Sequence, residues 1–575
     1  MIFDKDMNIS SIYFPLPKRF FIQYFVVFLW FNNLHELFMR FSSLFVITLL
    51  FFVAFYQYVL CQTLGAEPPR LVIGIMVDGL QQKHLDLLWG YFDPAGFKRI
   101  TAEGVRIPHV RYNIVSAGST SDIATVMTGS VPFYHGVAGD IIYNRSVDKI
   151  RNSLYDDQQI GIGTPLMLSS YNLLSSTIVD ELSMAFPYKS KSYAVAIGAN
   201  EAIMLGGHAA NGVVWIDDLT HKWVTTAYYK NGLCKSADDM NVLGDFKNIS
   251  TRVWRPMYAI NTYLSSAKES KKSDFEINPL DLKSKNHKAT ILNNTPSANS
   301  LVANLGLRIV TDEQMGMDNT PDALMLQFTV RTPQEKFFSL QSVEKEDMYL
   351  RLDRDIQNLL QKIDAKVGLD KTLVFLFANQ TDVHSPTELG ENNIPAGYFS
   401  ANRSIALLNT YLMAIYGQEP WVMGYYGKNI FLNKSKIDEK KVSYDAIQKS
   451  VIDFMPQFEG VQAAYASLDV LAMGGDSNTE MARLRNSSHK NSLGDVVITL
   501  KPGWLELDDD FRPVGESNAI VSTTPLYFYG MKLKPRTVNE SYLVIDIATT
   551  LARFMAIPAP NANIGKPIKE LFESN

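Results

Sequence analysis

The sequence contains little cysteine and no excess of positive charge. Two cysteines in 575 residues are too few for a disulfide framework or a Cys-rich zinc module. The 54 Lys and Arg residues are outnumbered by 59 Asp and Glu residues, and the net charge of −5 argues against a dedicated nucleic-acid-binding protein. Internal repeats and low-complexity tracts are also lacking. The 46% apolar and 20% charged residues that are present exclude wholesale disorder and predict a globular protein.

The long hydrophobic runs lie near the N-terminus. The run 20–31 is shorter than the roughly 20 residues that span a bilayer. The segment 39–61 is organised like a secretory signal peptide, because Arg40 supplies a positive charge, an apolar stretch follows, and small residues precede Gln62. We therefore predict that residues 1–38 are an over-called extension and that 39–61 is a signal peptide or a retained membrane anchor. The protein is then exported, to the periplasm or the cell exterior.

Short apolar runs alternate with helical patterns through the rest of the chain. Continuous apolar runs are typical of parallel strands that are buried on both faces of a sheet. Such strands are predicted at 71–77, 193–197, 323–330, 372–378 and 525–529. Helices are predicted at 171–186, 347–363 and 544–555. The alternation predicts an α/β fold with a doubly wound, mostly parallel sheet flanked by helices, in which ligands bind at the carboxyl ends of the strands.

Residues 62–575 are predicted to form this α/β domain, with a small α+β insertion at about 400–490. Within the insertion, 434–441 is interpreted as a charged turn, and the aromatic-rich stretch 421–426 is predicted to pack its interior. The polar, Lys- and Ser-rich stretch 265–288 is interpreted as a surface loop, because it shows no apolar periodicity.

Two features of the sequence have the chemistry of a site. Asp78 directly follows the first strand, where a carboxylate can bind a cation or cap the next helix, and the sequence leaves both open. Small and hydroxyl residues then precede a short helical run, so that Ser119 or Thr120 lies at a helix N-terminus, a position that stabilises anions. The helical run is followed by TGSVP and by His135-Gly136.

This layout resembles the alkaline phosphatase superfamily, in particular its type I phosphodiesterase/nucleotide pyrophosphatase group and the secreted bacterial alkaline-phosphatase branch of that group. The resemblance rests on Asp78 after the first strand and on the motif at 119–136, with further similar stretches at 206–229, 346–368, 501–507, 523–530 and 546–568. It implies an alkaline-phosphatase-like fold that hydrolyses phosphate esters. Ser119 falls on the position of the family's Thr nucleophile.

The resemblance also implies a centre of two zinc ions, and this sequence departs from it. The positions that match the family's zinc ligands are Asp78, Thr332, Lys336, Asn379, Gln380 and Thr523. Zinc takes about four N, O or S ligands, which are His, Cys or carboxylates in most proteins. Asp78 alone keeps such a group, because the other positions hold neutral residues or, at Lys336, a cation. His384 matches a later histidine of the family that is not a ligand of the core pair.

The phosphate-binding side chains of the family are replaced as well. Asp140 stands at the position of an Asn, and Gly198 and Asn200 stand at the positions of a Lys and an Arg. Losing cations and gaining a carboxylate weakens the binding of an anion.

These replacements predict a catalytically inactive relative that acts in binding or scaffolding. A hydroxyl nucleophile needs activation, and Ser119 has lost the metal that supplies it in the family. No cofactor is expected, and the family's two zinc ions are predicted to be absent. The expected partners are an envelope protein or a phosphorylated or sulfated ligand, with no nucleic acid and with membrane contact only through the N-terminal anchor.

The alternative is a divergent phosphate-ester hydrolase that uses Ser119 at a non-zinc or single-metal site. Asp78, Ser119, Asn379 and Gln380 offer oxygen atoms, which Mg²⁺ or Ca²⁺ prefers. Lys336 would then stand in for the second metal. Under the inactive interpretation, Lys336 would instead replace part of the missing positive charge and pair with Asp78.

Overall fold

The computed structural model describes residues 67–573, apart from 116–117, 146, 218, 230–231, 268–274, 285–286, 334–341, 381–385, 473–478, 508–512 and 515–522. The predicted extension 1–38 and the predicted signal peptide or anchor 39–61 lie outside the described residues and stay predictions. Within the described part, no helix combines the length and the hydropathy needed to cross a membrane.

The strands of the described residues alternate with helices along most of the chain. Their bounds are β1 (Leu71–Asp78), β2 (Val105–Arg111), β3 (Ile141–Asn144), β4 (Lys149–Asn152), β5 (Gly161–Ile162), β6 (Ser192–Ala196), β7 (Gly212–Asp217), β8 (Lys222–Thr226), β9 (Leu282–Ser284), β10 (His287–Thr290), β11 (Asp322–Thr329), β12 (Thr372–Ala378), β13 (Gly397–Ser400), β14 (Val422–Tyr426), β15 (Asn429–Leu432), β16 (Val461–Ala466), β17 (Val496–Leu500), β18 (Trp504–Leu507), β19 (Pro513–Val514), β20 (Thr523–Gly530), β21 (Arg536–Thr537) and β22 (Tyr542–Leu543).

The largest sheet has the strand order β21-β2-β20-β12-β1-β11-β6-β7-β8-β5, and β22 pairs with β2. Its central strands, β12, β1, β11, β6 and β7, are parallel neighbours. Antiparallel strands flank them, with β20 beside β12 and β8 beside β7. The predicted apolar runs correspond to β1, β6, β11, β12 and β20, and the predicted doubly wound, mostly parallel sheet is confirmed.

The α-helices of the described residues are α1 (Gln82–Leu88), α2 (Phe97–Glu103), α3 (Ser119–Thr128), α4 (Pro132–His135), α5 (Ile178–Ala185), α6 (Ala199–Gly206), α7 (Lys235–Val242), α8 (Asp245–Ser250), α9 (Pro296–Asp312), α10 (Val343–Lys366), α11 (Pro386–Glu391), α12 (Ala401–Tyr416), α13 (Lys434–Glu439), α14 (Tyr444–Phe454), α15 (Ser467–Ala472), α16 (Glu480–Ser487) and α17 (Asp546–Met555). Helices of this set cover both faces of the largest sheet, since α9 and α10 contribute to one core cluster and α3, α6 and α17 to the other. Parallel strands require this arrangement, because each crossover connection carries a helix over one face.

Three sequence predictions of local structure are wrong in detail. The helix predicted at 171–186 begins only at Ile178, because Thr177 and Asp180 exchange side-chain and backbone hydrogen bonds in a capping box. The charged turn predicted at 434–441 contains α13, which the Asn433 side chain caps by accepting from the Lys436 backbone N–H. The loop predicted at 265–288 includes β9 and the first residues of β10, which pair as an antiparallel hairpin.

Alternate residues of β1 supply two separate hydrophobic cores. Ile73 and Ile75 belong to a cluster on one face of the sheet, and Val72 and Met76 belong to a cluster on the other. Successive side chains of a strand point to opposite faces, so this continuous apolar run holds helices on both sides. The rigid central strands therefore fix where their carboxyl ends lie, and the candidate site is built there.

The segment from β13 to β18 has a core of its own. Trp421, Leu408, Ile447 and Ile498 are among the buried residues of this third cluster, and Trp421 is fully buried. The cluster packs α12 and α14 against the sheet β14-β15-β17-β16. Trp421 and Tyr425 thus pack this segment, as predicted for the aromatic-rich stretch, whereas Tyr426 stacks on Tyr143 of β3.

Candidate active site

The first part of the candidate site is a hydrogen-bonded group at the carboxyl end of β1. Nε of Arg331 lies 2.7 Å from Oδ2 of Asp78 and forms an ion pair with it. Nδ2 of Asn379 donates to Oδ1 of Asp78 at 2.6 Å, and Oδ1 of Asn379 accepts from the Gly79 backbone N–H at 3.0 Å. These residues meet because β1 lies between β11 and β12, and parallel neighbours end at the same edge of the sheet.

Ser119 forms the second part, at the N-terminus of α3. Its Oγ donates a hydrogen bond to Oε1 of Glu201, which lies in the first turn of α6. The preceding residue, Gly118, has a φ of 124°, a conformation that side chains disfavour. An added Cβ at Gly118 would also lie 2.2 Å from the Asp140 carboxyl group. Glycine is thus required for the turn that presents Ser119.

Asp140 caps the same helix. Its Oδ1 accepts from the Thr120 backbone N–H at 2.9 Å and from the Thr120 hydroxyl at 2.5 Å. The Asn200 amide donates to the Thr120 hydroxyl at 2.8 Å and accepts from Asn152 at 2.8 Å. Asp140 and Asn200, which the resemblance predicts to be phosphate-binding positions, therefore meet at Thr120, where they hold the N-terminus of α3 in place.

Several carboxylates share this edge of the sheet, and their charges interact. Burial raises the pKa of Glu201 to about 7, the nearby Asp140 carboxylate adds to the rise, and the Ser119 hydrogen bond opposes it. Burial also raises the pKa of Asp140, which the hydrogen bonds from Thr120 and the positive charge of Arg331 lower in part. Glu201 is thus poised to take up and release a proton near neutral pH.

The remaining predicted site residues are placed as follows. The backbone N–H and side-chain amide of Gln380 both donate to Asp122 of α3, at 2.9 and 3.0 Å. Thr332 is buried just after β11, and Thr523 is exposed at the start of β20. Lys336 and His384 lie outside the described residues, so the predicted pairing of Lys336 with Asp78 stays untested. The cation that the structure places on Asp78 is Arg331.

These residues do not fit the two zinc ions that the family resemblance implies. Both carboxylate oxygens of Asp78 are engaged, one by Arg331 and one by Asn379. The Gln380 amide is paired with Asp122, and a guanidinium beside the one carboxylate ligand repels a dication. Within the described ranges, no group of three or more His, Cys, Asp or Glu side chains could hold a metal ion. No step of the chemistry below is assigned to zinc.

Gly198 makes room for Glu201. Gly198 precedes α6, and an added Cβ there would lie 2.1 Å from Oε2 of Glu201. A side chain at position 198 would therefore displace the Glu201 carboxylate that lies beside Ser119.

We expect Gly198→Ala to separate Glu201 from Ser119 with little loss of stability. The backbone φ of −101° suits any residue, and the atom in the way is the end of a flexible side chain, so the carboxylate moves and the helix stays. The kcat of any reaction in which Glu201 takes the Ser119 proton should fall about tenfold or more, while the melting temperature stays close to that of the wild type. Gly390→Ala is the matched control, because an added Cβ at Gly390 meets no atom within 4 Å. Unchanged kcat in Gly198→Ala would contradict the role given to this contact.

Sequence reasoning missed three residues of the site: Arg331, Glu201 and Asp122. A signal for Arg331 was available, since it follows a strand that neighbours β1 and would end at the same edge of the sheet. For Glu201 the signal is weak, because an acidic residue in a first helical turn is common and favourable wherever a helix begins. Asp122 gave no signal beyond its place in the motif.

Residues 72–515 match the model of the family described as type I phosphodiesterase/nucleotide pyrophosphatase, and the chain belongs to this family. It is 28% identical over 538 residues to a calcium-transporting ATPase of Myroides odoratus, covering 90% of this chain and 97% of that protein. It is 27% identical over 529 residues to the alkaline phosphatase PafA of Elizabethkingia meningoseptica, covering 89% and 96%. The crystal structure of wild-type alkaline phosphatase PafA superposes with a TM-score of 0.78 at 26% identity, covering 88% of this chain and 99% of that one. The alkaline-phosphatase-like fold is thus confirmed.

Proposed function

We propose that this protein hydrolyses phosphate esters with Ser119 as the nucleophile and Glu201 as its general base, without zinc. The observation that carries the proposal is the hydrogen bond from the Ser119 hydroxyl to the Glu201 carboxylate at the N-terminus of α3. A nucleophile and a base within hydrogen-bond reach are the minimum that covalent catalysis requires.

The chemistry needs one proton relay. The Ser119 oxygen attacks phosphorus and passes its proton to Glu201, the bond from phosphorus to the ester oxygen breaks, and Glu201 returns the proton to the leaving alcohol. Water then attacks the phosphoserine, Glu201 accepts its proton, and the Ser119 oxygen leaves and takes that proton back. A base with a pKa of about 7 is suited to both directions of transfer near neutral pH.

The surroundings of Ser119 support this role in two ways. The N-terminus of a helix of ten residues carries a partial positive charge, which favours an oxyanion at its first residue. Arg331 adds a full positive charge that is close enough to act on Asp140. One cation replaces poorly what two zinc ions supply, so slow turnover is expected. The relative named as an alkaline phosphatase supports the hydrolase over the inactive interpretation.

An assay with matched variants tests the proposal. The purified protein is incubated with p-nitrophenyl phosphate and bis-p-nitrophenyl phosphate, in EDTA and with added Zn²⁺, Mg²⁺ or Ca²⁺. We expect release of p-nitrophenol that persists in EDTA, falls to the background without protein in Ser119→Ala, and is unchanged in Ser541→Ala, an exposed serine. Turnover that requires added Mg²⁺ or Ca²⁺ would contradict the metal-free step and favour an oxygen-ligand site that includes Asp78.

The inactive interpretation remains the second candidate, and one observation favours it. The Asp140 carboxylate accepts the Thr120 N–H at the point where the helix would otherwise bind an anion. A protein whose own carboxylate occupies this position acts in binding or scaffolding, with an envelope protein or a phosphorylated or sulfated ligand as its partner. The absence of turnover under every condition of the same assay would select this candidate and refute the first.

A further inference from the structure

A cavity of about 180 Å³ lies between α8, α9 and α10, and it uses none of the candidate active-site residues. Three arginines line it: Arg252 follows α8, while Arg351 and Arg354 lie on α10. Asp355 is the one acidic residue among the lining side chains. Positive charge therefore exceeds negative charge around a concave space that the proposed hydrolysis does not need.

Two of these arginines are held in place by the protein. Nε of Arg351 donates to the buried Asp347 carboxylate at 2.5 Å, and a terminal nitrogen donates to the Arg255 carbonyl at 2.6 Å. Arg354 lies over the Tyr258 ring, 5.7 Å from its centroid, and donates to the Tyr258 hydroxyl at 3.2 Å. Guanidinium groups that are already oriented lose less entropy when they bind a planar or tetrahedral oxyanion.

Arg252 is different, because its side chain forms no ion pair or hydrogen bond with the described residues. It is exposed to solvent at the rim of the cavity. The Arg252 guanidinium therefore breaks no ion pair or hydrogen bond with the described residues when it exchanges water for an anion.

The wall of the cavity also has uncharged polar and apolar residues. Ser297 and Ser300 come from the first turns of α9, and the Ser300 hydroxyl donates to both oxygens of Asp355 at 3.2 Å. Burial raises the pKa of Asp355 to about 7, so this carboxyl group is partly neutral at physiological pH. Trp254 and Met257 supply apolar surface to the same wall.

We propose that this cavity binds a small phosphorylated compound, with the phosphoryl oxygens on Arg252 and Arg354 and the organic part against Trp254 and Met257. Arginine suits phosphate and carboxylate alike, and a dianion gains more than a monoanion from two guanidinium groups. The proposal is independent of hydrolysis at Ser119.

Isothermal titration of the full-length protein with inorganic phosphate tests the site. All variants carry Ser119→Ala, so that the active-site cleft is the same in each. We expect Arg252→Gln to raise the Kd for phosphate at this cavity about tenfold or more, Arg252→Gln/Arg354→Gln to remove this binding event from the titration, and Arg403→Gln, at an exposed arginine of α12, to leave it unchanged. Acetate should bind more weakly than phosphate.

Several results would overturn the proposal. The protein with Ser119→Ala alone fails this test if it does not bind phosphate at millimolar concentration. The proposal also fails where Arg252→Gln leaves the Kd unchanged or where acetate binds as tightly as phosphate. Arg252 has no partner within the described residues, so its replacement leaves the fold intact, and the melting temperature of each variant checks this.

Discussion

Glu201→Gln is expected to lower the kcat for phosphate-ester hydrolysis by about 10²–10⁴-fold, the usual contribution of a general base. The glutamine side chain has nearly the same size and still accepts the Ser119 hydrogen bond, so the geometry is kept. What is lost is the capacity to take the Ser119 proton. The measurement is kcat for p-nitrophenyl phosphate in EDTA, with Glu459→Gln, at an exposed glutamate, as the control.

The pH dependence of the same two proteins separates catalysis from folding. In the wild type, hydrolysis should rise with pH through about 7, because Glu201 acts as a base only after it has lost its proton. This rise should be missing in Glu201→Gln. A rate that rises equally in both proteins would assign the base to another group.

The free energy of unfolding changes with pH in the opposite sense to the rate of hydrolysis. The pKa of Glu201 is higher in the folded protein than its ordinary value of 4.5, so the folded state holds this proton more tightly than the unfolded state. The contribution of Glu201 to the free energy of unfolding is therefore largest below pH 4.5, falls between 4.5 and about 7, and is constant above. Glu201→Gln removes this fall, so at pH 8 the variant should be at least as stable as the wild type.

Arg331→Met is expected to lower the free energy of unfolding by about 1–3 kcal/mol and to reduce hydrolysis as well. Asp78 is 19% exposed, and without Arg331 its carboxylate keeps the Asn379 hydrogen bond but loses its cation. Breaking a fully buried ion pair costs about 3–5 kcal/mol, and the partial exposure of this pair reduces the cost. Urea unfolding of the purified variant measures the change.

A double-mutant cycle tests the cause. Arg331→Met/Asp78→Asn leaves no unpaired charge, so it should regain most of the lost stability, while Arg403→Met should change nothing. Additive losses in the double variant would show that Arg331 stabilises the fold through contacts other than Asp78.

The outline of the fold could be predicted because its information is local. The apolar runs at β1, β6, β11, β12 and β20 are continuous, and a strand buried on both faces needs such a run wherever it lies in the sheet. The boundaries were less predictable. Thr177 starts α5 later than apolar spacing suggests, because side-chain capping bonds compete with helical periodicity.

The candidate site was predictable in part. Asp78 was found because it follows a strand, Ser119 because it lies at the start of a helical run, and Asn379 through the family resemblance. Lys336 was predicted as the cation that pairs with Asp78, whereas the structure places Arg331 on Asp78. Glu201 was not predicted as a general base for Ser119, because in the family that the sequence resembles a metal ion activates the nucleophile.

The sequence by itself determined the α/β class and five buried strands of the largest sheet, and through the family resemblance it predicts the replacement of the zinc ligands. Only the tertiary structure decided which side chains pair. Asp78 and Arg331 are 253 residues apart, and Ser119 and Glu201 are 82 apart. Such pairs depend on which strands are neighbours and in what register, and on space such as that left by Gly198. Periodicity along the chain reports burial and conformation, whereas chemistry at this edge of the sheet depends on contacts that folding alone creates.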